Sequence, residues 1–124
     1  MINNLFGEME YSIGWKCKKE ISIFGKVYSI TVKIQARKPD QDLPSIQEQT
    51  CLRYIEHEKE YLCDIEKMMV EYCDTVATRF TPRTLLFKRN GACALLFDDV
   101  EEPDEGIAAC IIPDKHIVSQ DMFL

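Results

Sequence analysis

The sequence predicts an α+β fold in a single domain spanning residues 1–124. It should have an N-terminal β-hairpin, one long kinked or two consecutive helices, and C-terminal antiparallel strands completing one sheet with the helices on one face. Three observations carry this expectation. Apolar residues alternate with period two over 15–37, recur at three-to-four spacing over 45–77, and return after residue 81 as short runs separated by tight-turn residues. Strands, then helices, then strands again are the pattern of a sheet with helices segregated to one side.

In the first region Trp15, Cys17, Ile21 and Ile23 fall on one face of a strand, and Tyr28, Ile30, Val32, Ile34 and Ala36 on one face of the next. Phe24-Gly25 lies between them, and glycine supplies the positive φ of a tight connection. Setting Ile23 opposite Tyr28 places Ile21 against Ile30, Lys19 against Val32, Cys17 against Ile34 and Trp15 against Ala36, with both apolar sets on one side. Lys16, Lys18, Glu20 and Lys33 then take the wet side. A short strand over 9–13 precedes the pair.

Residues 38–44, KPDQDLP, form a turn-rich connector, and Ser45 with Glu48 has the S-x-x-E spacing of a capping box. A helix should start there. Leu52, Ile55, Leu62, Ile65, Met69, Tyr72 and Val76 form its apolar stripe, which lapses at 58–60, where a kink or a break falls. Thr81-Pro82 ends the helical zone, because proline cannot continue the hydrogen-bond ladder. Strands follow at 85–87 and 92–97, joined through Asn90-Gly91, a hairpin signal. Another apolar run covers 106–112, Pro113-Asp114-Lys115 turns it into 116–118, and the chain ends on Met122-Phe123-Leu124.

Hydrophobic residues at 46% and charged residues at 29% exclude the depleted, charge-heavy composition of disorder. The first residues lack the basic and apolar segments of a signal peptide, and no apolar stretch approaches the ~18 residues that span a membrane. The expected location is the cytoplasm. There the six cysteines, without a C-x-x-C pair, are expected to be thiols acting as small hydrophobes.

Net charge is −6 and unevenly spread. Acidic residues dominate 42–78 (nine against three basic) and 98–124 (eight against one), whereas 79–97 holds four basic residues and no acidic one. An acidic chain with a pI near 4.9 is a poor fit to sequence-independent nucleic-acid binding, which needs clustered Lys and Arg. A basic protein partner is electrostatically easier. The chain should be a monomer or a homodimer paired through an exposed sheet edge.

The densest charge lies in FDDVEEPDEG, 97–106, where Asp98, Asp99, Glu101, Glu102, Asp104 and Glu105 crowd between two apolar runs. With Gly106 as the sixth residue of a calcium loop, Pro103 would be third and Ile112 twelfth, so the EF-hand pattern fails. Adjacent loop carboxylates also lack the fixed separation of an acid/base pair. These six therefore read as a charged turn first and a partner-binding surface second. The alternative is a small cation-binding protein or metal-dependent hydrolase using Asp98, Asp99, Asp104 and Asp121.

No catalytic residue, metal-ligand set or cofactor motif stands out elsewhere. His57 and His116, the only imidazoles, have no spaced Cys, Asp or second His of a nucleophile or zinc set. The glycines form no phosphate loop. Tyr61, Met68, Met69 and Tyr72 read as core, and Arg79, Arg83, Lys88 and Arg89 as a basic set balancing the acidic turn.

Taken together, ISIFGKVYSITVKI, QEQTCLRYI, VEYC, LLFDD, DEGIAACI and HIVSQDMFL resemble a family of small bacterial α+β domains of unknown function. Some of its members look like immunity proteins of toxin–immunity loci. The similarity runs over nearly the whole chain. Asp104, Gly106 and Asp121 match the family pattern, whereas Val100 and Glu105-Gly106 stand where members commonly carry Trp-Asp and Glu-His-Gly. The resemblance implies a non-enzymatic, immunity-like binding module, and it assigns no activity.

Overall fold

A computed structural model describes residues 10–11, 14–36 and 43–124. The element order is β1 (Glu10–Tyr11), β2 (Trp15–Ile23), β3 (Lys26–Ile34), α1 (Ser45–Glu56), α2 (Glu58–Tyr72), α3 (Val76–Arg79), β4 (Phe80–Phe87), β5 (Cys93–Asp99), β6 (Ile107–Ile112), β7 (His116–Ser119) and α4 (Gln120–Phe123). The architecture is α+β. The sheet is larger than the expected hairpin plus C-terminal strands: among the described residues seven strands lie in sequence order, β1 to β7, each beside its chain neighbour. Every neighbouring pair is antiparallel except β3 and β4, which run parallel because the helical segment between them carries the chain back to its starting end.

The hairpin of β2 and β3 forms with a register two residues tighter than expected. Ile23 faces Lys26, Ile21 faces Tyr28, Lys19 faces Ile30, Cys17 faces Val32 and Trp15 faces Ile34. The cause is the turn. Phe24 (φ 56°) and Gly25 (φ 72°) both take the left-handed conformation of a two-residue loop, whose twist matches the strands. A shift of two preserves the faces, so Ile21, Ile23, Ile30, Val32 and Ile34 are all buried on one side. Of the strand expected over 9–13, only Glu10–Tyr11 falls among described residues, as do only Leu43 and Pro44 of the connector.

The capping box does not form. Ser45 is already helical, Pro44 occupies the cap position, and no side chain caps the end. The apolar stripe also fails in α1, where Leu52 and Ile55 are exposed while Gln47, Thr50, Cys51 and Tyr54 turn inward. The two buried polar residues are there to bond main chain. Gln47 Nε2 donates to Gln35 O and Phe87 O, both at 3.0 Å, and Thr50 Oγ1 donates to Gly91 O at 2.8 Å. The helices break at His57, which ends α1 and caps α2. In α2 the predicted Leu62, Ile65 and Met69 are buried, along with Tyr61, but Tyr72 is 53% exposed.

The helical segment between β3 and β4 ends at Arg79, so Pro82 lies inside β4 rather than before it. The ladder accommodates it with an irregularity between Pro82 and Thr84. The main core is the layer between helices and sheet, where Cys51, Tyr54, Ile65 and Met69 meet Val32, Leu85, Leu95 and Phe97. A second cluster occupies the opposite face of the sheet: Leu86, Ala94, Leu96, Ala108 and Cys110 pack with Phe123. The chain end expected as Met122-Phe123-Leu124 is thus the short helix α4, and α4 departs from the single-face arrangement. Burial on both faces explains why CALLF and IAACII are continuous apolar runs instead of alternating ones.

Candidate functional site

The acidic stretch leaves the sheet at the end of β5. Period two splits its first two carboxylates: Asp98 points to solvent and Asp99 inward, the latter only 4% exposed. Asp99 faces Phe80 across the ladder, one residue beyond Arg79 at the end of α3. Arg79 Nε donates to Asp99 Oδ1 and its Nη2 to Oδ2, each at 2.9 Å, a two-pronged pair. Arg79 is itself fixed, with its guanidinium carbon 4.9 Å from the centroid of the Phe80 ring. Its bond and charge hold the Asp99 carboxyl below the ordinary value of 3.8.

From this anchor the turn is built by main-chain bonds. Asp99 Oδ1 accepts from Glu101 N at 2.9 Å, Asp99 O accepts from Glu102 N at 3.2 Å, and Glu102 O accepts from Glu105 N at 3.0 Å. Val100 N donates to Arg79 O at 3.0 Å, tying the near side of the turn to α3. The far side closes on Gly106, whose carbonyl accepts from Gln120 N at 3.0 Å, while Gln120 Nε2 donates to Phe97 O at 2.8 Å. A side chain at 106 would run into Phe97 O and the Gln120 amide, which explains glycine there.

The six acidic residues therefore play three roles. Asp99 is the buried anchor, Asp98 pairs with Arg83 Nε at 2.7 Å on the surface, and Glu101, Glu102, Asp104 and Glu105 are exposed at the tip. Val100, an apolar residue 65% exposed, stands among them. Asp121 sits apart in the first turn of α4. Among the described residues no three carboxylate, imidazole or thiol groups gather closely enough to hold a metal ion, and Asp99 already spends both oxygens on Arg79.

The basic set divides in the same way. Arg79 and Arg83 neutralise the root of the acidic turn. Lys88 and Arg89 lie at the other end of β4, where Lys33 of β3 joins them around a groove. The grouping of Lys33 with Lys88 and Arg89 was not readable from sequence, since 55 or more positions separate them along the chain and only the parallel register of β3 on β4 unites them.

The histidines are surface groups. His57 Nδ1 lies 3.3 Å from Glu60 Oε2, and His116 is exposed at the start of β7. Of the cysteines, none of which forms a disulfide, Cys51, Cys93 and Cys110 are buried, Cys17 and Cys73 half-buried, and Cys63 exposed. Among the described residues no helix is long and apolar enough to cross a membrane. Compared with protein-family models, with curated proteins and with solved structures, the chain matches none.

Proposed function

We propose that the protein is a non-enzymatic binding module, immunity-like in its mode of action, which docks a basic protein partner on the acidic tip beyond β5. The observation that carries this reading is the construction of the tip. Glu101, Glu102, Asp104 and Glu105 are exposed around Val100, on a turn whose root is pinned by buried Asp99 paired with half-buried Arg79. A pinned turn loses little conformational freedom when a partner binds, and an acidic field steers a basic surface toward it. Val100 supplies an apolar centre within a charged rim, the arrangement from which interfaces gain most of their affinity. Cysteines outside any disulfide fit work in the reducing cytoplasm.

The test is affinity capture from the native host with the wild-type chain and with a Glu101→Gln, Glu102→Gln, Asp104→Asn, Glu105→Gln variant, repeated at rising salt. A basic protein should be retained by the wild type, released as salt screens the contact, and lost by the variant. Retention that ignores both salt and the substitutions would refute this assignment.

A further inference from the structure

We propose that the groove at the carboxyl ends of β3 and β4 binds the phosphoryl group of a small organic phosphate. It is independent of the acidic tip and lies at the opposite end of β4 and β5. The groove has a volume of about 760 Å³ and is walled by Tyr11, Lys33, Gln35, Lys88, Arg89 and Asn90. That volume suits a small molecule.

Its charge is the first argument. Four cations of the described residues lie against carboxylates: Lys19 against Glu58, Arg79 against Asp99, Arg83 against Asp98, and Lys115 against Asp64. Among the described residues no carboxylate pairs with Lys33, Lys88 or Arg89, and none of the described wall residues is acidic. Three cations with no carboxylate partner among the described residues, around one groove in a chain of net charge −6, leave a local positive site for an anion.

The second argument is that two of the cations are tethered. Lys33 stands beside Leu86 in the parallel register, and Lys88 follows Leu86 by two residues, just past the end of β4. The Lys88 ammonium is fixed by a bond to Phe123 O and sits 4.9 Å from the Phe123 ring centroid, which leaves further protons for a ligand. Arg89 is tethered through its main chain, its N–H donating to Gln35 Oε1 at 3.2 Å. Its Nη1 is closed off from solvent and has no hydrogen-bond acceptor. A charged donor in that condition is costly, and turning it into the groove would let an anion satisfy it.

The third argument is position. β3 and β4 are the parallel pair of the sheet, and the groove lies outside their carboxyl ends. Two ammonium groups and a guanidinium match the charge and the several oxygens of a phosphate monoester, whereas one carboxylate would leave cationic charge unmatched.

Phenyl phosphate is titrated into the full chain at constant ionic strength, with benzoate as the carboxylate control, and amide resonances are followed by NMR. Saturable shifts should centre on residues 33–35 and 88–90 and be stronger with phenyl phosphate than with benzoate. Arg89→Gln and Lys33→Gln should each weaken binding about tenfold, the loss of one charge-assisted bond, while Arg83→Gln leaves it unchanged. The proposal is overturned by an absence of saturable shifts, by equal binding of benzoate, or by Arg83→Gln weakening binding as much as the groove variants do.

Discussion

Asp98 and Asp99 are chemically identical neighbours with opposite fates, because the pleat of β5 sends one side chain to solvent and the other toward Arg79. Removing the Asp99 charge leaves a half-buried guanidinium without its fork, and Asp99→Asn should cost about 1–3 kcal/mol at neutral pH, read from urea unfolding. The same pair sets a pH dependence. A carboxyl held below its usual value adds stability above the unfolded pKa and loses it as pH falls through the folded one. Wild-type stability should therefore decline as the pH drops below 3.8, and Asp99→Asn should flatten that decline. An unchanged acid slope in the variant would show that other carboxylates set it.

At the scale of elements, the hairpin shows what a turn decides. Alternation put the correct residues on the inner face, but it is blind to shifts of two, and the left-handed pair Phe24-Gly25 chose the register. A methyl group at position 25 would meet no atom within 4 Å, so Gly25→Ala tests the backbone alone. The substitution should destabilise by about 1–2 kcal/mol in thermal unfolding without altering the register of β2 on β3. The first helix shows the converse limit. Apolar spacing favoured Leu52 and Ile55, yet the inward face includes Gln47 and Thr50, whose side-chain donors are taken up by carbonyls of Gln35, Phe87 and Gly91. Such polar anchors carry no periodic hydrophobic signal, because their partners come from strands far along the chain.

For the whole molecule, the main core joins α1, α2 and α3 to β2 through β6, so its thiols report on global opening. Burial pushes the Cys51 thiol up to about 12 and raises Cys93 well above its ordinary value, while the Thr75 hydroxyl, with Arg79 nearby, lowers Cys73. In native protein at neutral pH an alkylating reagent should modify Cys63 and Cys73 within the first time points, and mass spectrometry should find Cys51 and Cys93 modified only in denaturant. Early labelling of Cys51 would mean that α1 opens separately from the sheet.

Alternation, three-to-four spacing and turn residues by themselves determined the α+β class, the hairpin faces, most of the inward face of α2 and the exposed acidic tip, because those depend on neighbours a few residues apart. Only the tertiary structure decided the parallel joining of β3 to β4, the inward face of α1, the docking of Phe123 on the second face, the removal of Asp99 from the acidic surface and the gathering of Lys33 with Lys88 and Arg89. Each of these rests on contacts between segments distant in sequence, and such contacts leave no local period to read.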